Sequence, residues 1–215
     1  MARSSLVFVT TSGSKQHLQS LRCWTGDWTA AFDVHLHSNR PLSPAWSAAF
    51  AAVPARERSV SIAATSDAHQ RGAIRAFVDA RTRFEKYEWV VRLNPDVQVL
   101  YADAFLKWME IRGVQAVLAN CNPDTVCDFR SDCPGALVHS DFQVFRPGAV
   151  NWTAGTALNA ERHATQVFRA ALASTWWLQP RGFRDRSCRV RAGVREGLPT
   201  VVHRASHTVN CSRGV

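Results

Sequence analysis

One apolar segment, residues 87–97, constrains the fold of this chain more than any other. Its apolar run is long enough for a buried strand, and it stops abruptly at Asn94-Pro95-Asp96. Strands buried on both faces are typical of parallel sheets, and the carboxyl ends of such strands form the edge where open α/β sheets bind ligands. The sequence therefore predicts that Asp96 brings a carboxylate to a ligand-binding edge.

Strand-like and helix-like patterns alternate along the chain, which predicts an α/β fold with a mostly parallel central sheet flanked by helices. The 215 residues suffice for one domain spanning 1–215. The predicted strands are 6–10, 31–36, 59–63, 87–93, 114–119 and 140–145. The predicted helices follow Ser14 and Gly72, begin near Trp46 and at Asp103, and run over 157–173. Residues 120–134 are expected to form a long polar loop beside the site.

Composition narrows the class of protein. Hydrophobic residues at 46% and charged residues at 20% are ordinary globular values. No run approaches the roughly 20 apolar residues of a membrane-spanning helix. Residues 6–9 are too few for a secretory signal, so we expect no targeting segment and a cytoplasmic location. The net charge of +9 favours anionic partners but does not separate nucleic acid from nucleotide or phosphate.

The six cysteines contain no C-x-x-C pair, although Cys121, Cys127 and Cys133 are evenly spaced. Zinc sites usually have closer pairs, so the pattern favours free or partly buried thiols over a structural metal. A disulfide framework is not expected in a chain of this length. The two sequons, at Asn151 and Asn210, would matter only in a secretory compartment.

Asn94-Pro95-Asp96 has the form of the Asp-x-Asp element with which sugar-nucleotide transferases hold a divalent cation. A nucleoside diphosphate leaving group gains negative charge as the glycosidic bond breaks, and a hard cation on oxygen ligands stabilises it. Asn94 is neutral and would hold a metal less strongly than a carboxylate. The same triplet is also an ordinary turn sequence.

Several short motifs, taken in order, resemble the GT-A class of glycosyltransferases. The motifs are Gln70-Arg71-Gly72-Ala73-Ile74, residues 87–97, residues 139–142 with Phe145-Arg146-Pro147, Asn159-Ala160-Glu161, Cys188-Arg189-Val190-Arg191 and His203. More specifically, they are similar to the small glycosyltransferase domains of large algal DNA viruses, which glycosylate capsid glycoproteins, and of related algal and plant proteins. The resemblance covers nearly the whole chain.

For the donor, the resemblance implies that Thr10, Thr11 and Gly13 grip the nucleotide. It also places Gln70 and Gly72 where the chain passes over the donor, beside a helix N-terminus that favours phosphate. The alternative is a plain βα turn at Gly13 and close packing at Gly72.

Basic residues are expected to neutralise the diphosphate. The resemblance assigns this role to Arg92 and to one or both of Arg189 and Arg191. The alternatives are a structural carboxylate such as Asp67 or Asp141 for the inward Arg92 and a merely solvated basic loop over residues 181–195.

The resemblance also implies a metal and an acceptor side. Asp96 and His203 would ligate Mn²⁺ or Mg²⁺. Asp141 would accept hydrogen bonds from sugar hydroxyls, and Glu161 would be the general base. Glu161 could equally be an acidic residue that the helix dipole favours in a first turn, and a lone histidine such as His203 is often structural.

The sequence thus predicts a glycosyltransferase, of the hexosyltransferase type. It would move a sugar from a nucleotide-diphosphate donor, with a UDP-sugar favoured, to a glycan or glycoprotein acceptor. We expect a monomer that binds no nucleic acid. One alternative is a nucleotidyltransferase or sugar-nucleotide hydrolase on a similar sheet. The other is a basic nucleic-acid-binding module, which is less favoured because the tryptophans are scattered and not interleaved with the arginine-rich segment.

Overall fold

The computed structural model describes residues 4–24, 27–63, 69–99, 102–122, 125, 135–178, 191–195 and 198–203, the last two ranges as backbone. The strands are β1 (Ser5–Thr11), β2 (Asp33–Ser38), β3 (Glu57–Ile62), β4 (Trp89–Leu93), β5 (Val97–Val99), β6 (Ala116–Asn120), β7 (Val138–Phe145), β8 (Thr175–Leu178), β9 (Arg191–Arg195) and β10 (Leu198–His203). The helices are α1 (Lys15–Arg22), α2 (Pro44–Ala51), α3 (His69–Asp79), α4 (Arg81–Phe84), α5 (Asp103–Glu110) and α6 (Ala160–Phe168), with 3₁₀ turns at Pro147–Ala149 and Arg169–Ser174.

A seven-stranded sheet in the order β3-β2-β1-β4-β7-β6-β8 forms the centre of the fold. All of its strands run in one direction except β7, which is antiparallel to both β4 and β6. The chain order reverses between β1 and β4, since β2 and β3 extend the sheet on the other side of β1. This is the switch point at which open α/β sheets form a ligand crevice. The predicted mostly parallel α/β fold is confirmed.

Two hydrophobic clusters cover the two faces of this sheet. Val7 and Val9 of β1 point into one cluster, and Leu6 and Phe8 point into the other. The alternation follows from the two-residue period of a strand, so a strand that is apolar at every position is buried on both faces. All seven residues of β1 are buried. The all-apolar strands of the sequence therefore lie at the centre of the sheet.

The structure differs from the predicted elements in several places. The helix expected after Gly72 begins at His69, so Gln70 and Gly72 lie within its first turn. Strands β5 and β8 were not predicted because each has only three or four residues. Residues 191–195, expected in a loop, form β9, which pairs with β10. The last predicted helix ends at Phe168 and continues as a 3₁₀ turn. Most of the predicted loop 120–134 lies outside the described residues.

The expectation of free thiols is wrong for the two cysteines in the described part of the chain. Cys23 and Cys121 are both disulfide-bonded. They follow α1 and β6 and are largely buried. Sequence spacing between cysteines reports short metal-binding loops well, but it does not show which distant segments the sheet brings together.

No helix among the described residues is long and apolar enough to cross a membrane.

Strand β2 contributes a buried histidine, His35, which lies beside Phe8 of β1. His35 is 1% exposed, and its ring stacks on Phe8 with centroids 5.5 Å apart. Its Nδ1 lies 2.7 Å from Ser59 Oγ and its Nε2 lies 2.8 Å from Ser61 Oγ. Burial lowers the pKa of His35 to about 3, with further lowering from Arg83 and His37. The neutral imidazole therefore belongs to the folded state.

We predict that His35 makes the fold sensitive to acid. An unfolded histidine has a pKa near 6.5, so between pH 6.5 and about 3 the unfolded chain binds one more proton than the folded chain, and stability falls as pH falls. From pH 6.5 to 5 the loss from this group is about 2 kcal/mol. Urea unfolding at pH 7 and pH 5 should show a smaller pH dependence in His35→Gln. An identical dependence in both chains would contradict the assignment.

Candidate functional site

A cleft of about 570 Å³ opens at the carboxyl edge of the sheet, at the switch point between β1 and β4. Because β7 runs antiparallel, its first residues meet the last residues of β4 at this edge, and the first turns of α3 and α6 complete the wall. The residues that line the cleft are Thr10, Thr11, Ser12, Gly13, Ser14, Gln16, His17, Asn39, Arg40, Pro41, Gln70, Ala73, Asn94, Ser140, Asp141, Ala160 and Glu161.

The turn after β1 forms one end of the cleft. Thr11 Oγ1 accepts a hydrogen bond from Gly13 N at 3.0 Å and contacts His17 Nδ1 at 3.0 Å. Ser14 caps α1 by accepting from His17 N at 3.1 Å. Gly13 has φ +71°, while the nearest atom to an added Cβ would be 3.8 Å away, so the backbone conformation rather than space requires glycine.

The floor of the cleft is a chain of hydrogen bonds across three strands. Arg92 Nη2 donates to Thr10 Oγ1 at 3.2 Å, and Thr10 Oγ1 donates to Asn94 Oδ1 at 2.5 Å. Asn94 Nδ2 then donates to Asp141 Oδ1 at 2.7 Å. The backbone repeats the link, since Asn94 N donates to Asp141 O at 3.1 Å. We name this chain of four side chains the polar floor.

Ser140 joins two carboxylates at the end of the polar floor. Its Oγ lies 2.8 Å from Glu161 Oε1 and 3.2 Å from Asp141 Oδ1, and its single proton can be donated to either carboxylate. His139, immediately before it, is 2% exposed and accepts from Asp141 N through Nδ1 at 3.0 Å. The start of β7 therefore holds Asp141 from the backbone and from the side chain.

Arg92 lies beneath the cleft and not on its surface. It is 2% exposed, and within the described part of the chain its Nε and Nη1 have no hydrogen-bond partner. Burial lowers the pKa of Arg92, while the charges of Asp141 and Glu161 raise it. A buried cation of this kind needs nearby negative charge. The two cleft carboxylates supply it, which favours the structural alternative for Arg92 that includes Asp141.

The Asn94-Pro95-Asp96 segment is a turn held at the cleft. Val97 N donates to Asn94 O at 3.0 Å, which closes the turn. Trp24 Nε1 donates to Pro95 O at 3.0 Å, and Gln98 Nε2 does so at 3.3 Å. Residues 94–96 thus form a turn, and Asn94 of that turn also lines the cleft, so the turn interpretation does not exclude a ligand site.

The side chain of His17 and the backbone of His203 lie near Asp96. His17 Nε2 lies 3.8 Å from Asp96 Oδ2. In the three-stranded sheet β5-β10-β9, His203 pairs with Val97, the residue that follows Asp96. The register therefore brings the backbone of His203 beside the Asp96 turn.

The residues around Asp96 have the chemistry of a Mn²⁺ or Mg²⁺ site. Carboxylate oxygens suit both ions. Among the described side chains no three metal-binding residues form a cluster. Asp96 has a carboxylate that suits such an ion, and the register brings the backbone of His203 beside it.

The helix N-termini at the cleft are tied together. Ala160 N donates to Gln70 Oε1 at 2.5 Å, which links the first turn of α3 to the first turn of α6. Asn159 caps α6 by accepting from Arg162 N at 2.9 Å. Gly72 is buried in α3 and does not line the cleft.

The structure brings together seven of the residues that the sequence nominated. Thr10, Thr11, Gly13, Gln70, Asn94, Asp141 and Glu161 all line the cleft. Arg189 and Asp67 lie outside the described residues, and Arg191 and His203 are described as backbone of β9 and β10.

Several polar residues of the cleft were not predicted, and three of them bear on its chemistry. His17, Ser140 and Arg40 line it. Ser140 belongs to the motif His139-Ser140-Asp141-Phe142, in which only the neighbouring Asp141 was predicted as a site residue. Arg40 follows the end of β2, so its place on the carboxyl edge could have identified it. His17 lies in the first turn of α1, and only the tertiary structure shows its distance to Asp96.

Comparison with known proteins gives structural matches alone. No protein-family model matches the chain, and no curated protein is significantly similar to it in sequence. The chain is similar to Staphylococcus aureus TarS with a TM-score of 0.55 and 13% identity over 82% of this chain and 35% of TarS. It is also similar to core-mannan synthase A from Aspergillus fumigatus, in its Mn/GDP form, with a TM-score of 0.52 and 10% identity over 81% of this chain and 72% of the synthase.

A third match covers most of both chains. An active-site mutant of LgtC is similar with a TM-score of 0.52 and 11% identity over 94% of this chain and 87% of LgtC. In other matches the chain spans a smaller share of the known structure, such as 39% of the bifunctional glycosyltransferase WbbM. At such low identity these likenesses show the fold. The chain has the GT-A fold of nucleotide-sugar glycosyltransferases.

Proposed function

We propose that this protein is a metal-assisted glycosyltransferase. It moves a sugar from a nucleotide-diphosphate donor, with a UDP-sugar favoured, to a glycan or glycoprotein acceptor. The observation that carries the proposal is the polar floor, which lies at the switch point of a GT-A fold beside the Asp96 turn. It ends at Asp141, which Ser140 links to Glu161. The similarity to small viral and algal domains, the monomeric state and the absence of nucleic-acid binding stay predictions.

The donor end of the cleft is the turn after β1. Thr11 and Gly13 present hydroxyl and backbone groups there, and Gln70 lies opposite, at the start of α3. Arg40, at the end of β2, supplies a cationic side chain to the same wall and suits a diphosphate. TarS has been solved with UDP-GlcNAc and core-mannan synthase A with Mn and GDP. These neighbours support a nucleotide in the cleft without choosing its base.

Asp96 and His203 are the proposed ligands of Mn²⁺ or Mg²⁺. When bound, the cation would stabilise the charge that develops on a nucleoside diphosphate leaving group. Asn94 is not proposed as a second metal ligand, because its amide is neutral and hydrogen-bonds to Thr10 and Asp141. Arg189 and Arg191 remain proposed as further cations on the diphosphate.

Glu161 is the proposed general base and Asp141 the proposed contact to sugar hydroxyls. Ser140 can donate to one Glu161 oxygen, which fixes the orientation of that carboxylate and leaves the other oxygen for an acceptor hydroxyl. Asp141 keeps acceptor capacity beyond its bond from Asn94, since a carboxylate has about four lone-pair positions.

Arg92 is proposed as a positioning residue and not as a diphosphate ligand. It is buried beneath the polar floor and acts on the cleft through Thr10. The charges of Asp141 and Glu161 offset the cost of burying its positive charge, and Arg92 is not proposed to touch substrate.

We predict metal-dependent nucleotide binding. Calorimetric titration of UDP and GDP with Mn²⁺ should show binding of at least one nucleotide. Asp96→Asn should weaken the Mn²⁺-dependent affinity by at least about tenfold, or ~1.4 kcal/mol. Asp79→Asn removes the same charge from a side chain that is 58% exposed on α3 and should bind as the native chain does. Failure of both nucleotides to bind, or equal binding by Asp96→Asn, would refute the donor site.

We predict different kinetic effects for the two carboxylates. With the donor identified by titration, Glu161→Gln should lower kcat by roughly 10²- to 10⁴-fold and leave nucleotide affinity unchanged, because a general base acts in the chemical step. Asp141→Asn should chiefly raise the KM for the sugar donor and leave the affinity for the free nucleotide unchanged. Steady-state assays of nucleotide release check both. Native turnover by Glu161→Gln would exclude it as the base.

We predict that the hydroxyl of Thr10 stabilises the fold as well as the cleft. Thr10→Val is nearly isosteric but removes the hydroxyl that Arg92 Nη2 and Asn94 Oδ1 bind. The free energy of unfolding should therefore fall by about 1–3 kcal/mol. Thr10→Ser keeps the hydroxyl and should retain most of the stability. Urea unfolding at pH 7 compares the three chains. Equal loss in the valine and serine variants would mean that the methyl group, and not the hydroxyl, matters.

A further inference from the structure

We propose that Asn151 is an N-glycosylation site and that this protein folds in an oxidising secretory compartment. Two separate observations carry the proposal. The first is the geometry of the sequon Asn151-Trp152-Thr153, and the second is the oxidation state of Cys23 and Cys121. Neither depends on the proposed donor, metal or acceptor.

The side chain of Asn151 is exposed and is held by two hydrogen bonds from Thr153. Asn151 and Thr153 are both exposed. Thr153 Oγ1 donates to Asn151 Oδ1 at 2.9 Å, and Thr153 N donates to the same oxygen at 3.2 Å. Both bonds engage the amide oxygen of an exposed side chain, so neither of them occupies Nδ2, the atom that carries an N-linked glycan. Asn151 and Thr153 are thus brought together as a sequon requires.

The sequon lies away from the cleft. Asn151 follows the end of β7 and its N donates to Val167 O at 2.8 Å, near the last residue of α6. The cleft lies at the opposite ends of these two elements, at Asp141 and Glu161. A glycan at Asn151 would therefore leave the cleft open.

A packed tryptophan fixes the loop that carries the sequon. The Trp152 ring lies 5.2 Å from the Phe77 ring and 6.1 Å from the Phe84 ring, measured between centroids. Arg81 also lies over the Trp152 ring, at 5.8 Å from its centroid. With its middle residue anchored in this aromatic cluster, the sequon presents its first and third side chains outward.

The disulfides indicate the compartment. Disulfides form and persist in secreted, lumenal and periplasmic proteins and are rare where glutathione and thioredoxin keep thiols reduced. Both cysteines in the described part of the chain are oxidised, and the sequence contains an even total of six. The same lumen that forms disulfides in eukaryotic cells also glycosylates sequons. The two observations thus agree on a compartment other than the cytoplasm that the sequence led us to expect.

The modification is a group transfer to nitrogen. A bond forms between Asn151 Nδ2 and the anomeric carbon of an oligosaccharide carried on a polyprenyl diphosphate. The bond from that carbon to the diphosphate breaks, the lipid diphosphate leaves, and Nδ2 loses one proton. No oxidant or reductant is required.

The glycan is tested with the full chain directed by a signal peptide into the secretory pathway of a eukaryotic cell. Asn210→Gln removes the second sequon, so intact mass before and after peptide N-glycosidase treatment reports Asn151 alone. We expect one glycan, which is lost in Asn151→Gln and in Thr153→Ala and kept in Thr153→Ser. A secreted chain with no glycan at Asn151 would overturn the site.

The disulfides are tested on the same chain made in the cytosol and in the secretory pathway. Thiol alkylation and mass spectrometry should find Cys23 and Cys121 blocked in the secreted chain and free in the cytosolic chain. We expect the reduced chain to melt lower by about 5 to 15 °C. Equal melting temperatures, or free thiols in the secreted folded chain, would overturn the assignment of the compartment. Neither result bears on nucleotide binding, so the proposed function is tested separately.

Discussion

The arrangement of the cleft depends on one buried cation. Arg92 extends from β4 to the hydroxyl of Thr10 and feels the charges of Asp141 and Glu161, and burial makes its own charge costly unless those partners stay near. The partners stay near because β1 and β7 pair with β4 on either side. The strand pairing therefore holds Thr10 and Asp141 on either side of β4, where the buried charge of Arg92 requires them.

The single antiparallel strand explains why a cleft of this composition forms. If β7 ran parallel to β4, its carboxyl end would meet the Asn94 turn, and Phe145 would stand where Asp141 stands. Because it runs the other way, the polar start of β7 lies at the carboxyl edge and its apolar end packs against the aromatic cluster of Phe77 and Phe84. The direction of one strand therefore separates the reactive edge from the far edge that carries Asn151.

The sequence predicted the features that local patterns determine. Continuous apolar runs identified β1 and β4, and Ser14 identified the start of α1. Seven nominated side chains meet in the cleft because strand ends in an α/β sheet share an edge. Patterns could not show that Arg92 lies beneath that edge, since an inward arginine in an apolar run looks the same whether its partner is a ligand or a carboxylate of the same chain. Nor could they show that Cys23 and Cys121 are oxidised, because disulfides join segments whose proximity depends on the whole fold.

The hydrogen bonds of the polar floor join residues that are far apart in the chain. The separations are 84 residues for Thr10 and Asn94, 82 for Arg92 and Thr10, and 47 for Asn94 and Asp141. Such contacts form only when the centre of the sheet has closed, so a partly folded chain has no cleft to offer. A ligand of the cleft would therefore bind the fully folded state and shift the global folding equilibrium by RT ln(1 + [L]/Kd). Any ligand of the cleft that is present during synthesis would therefore stabilise the newly folded chain.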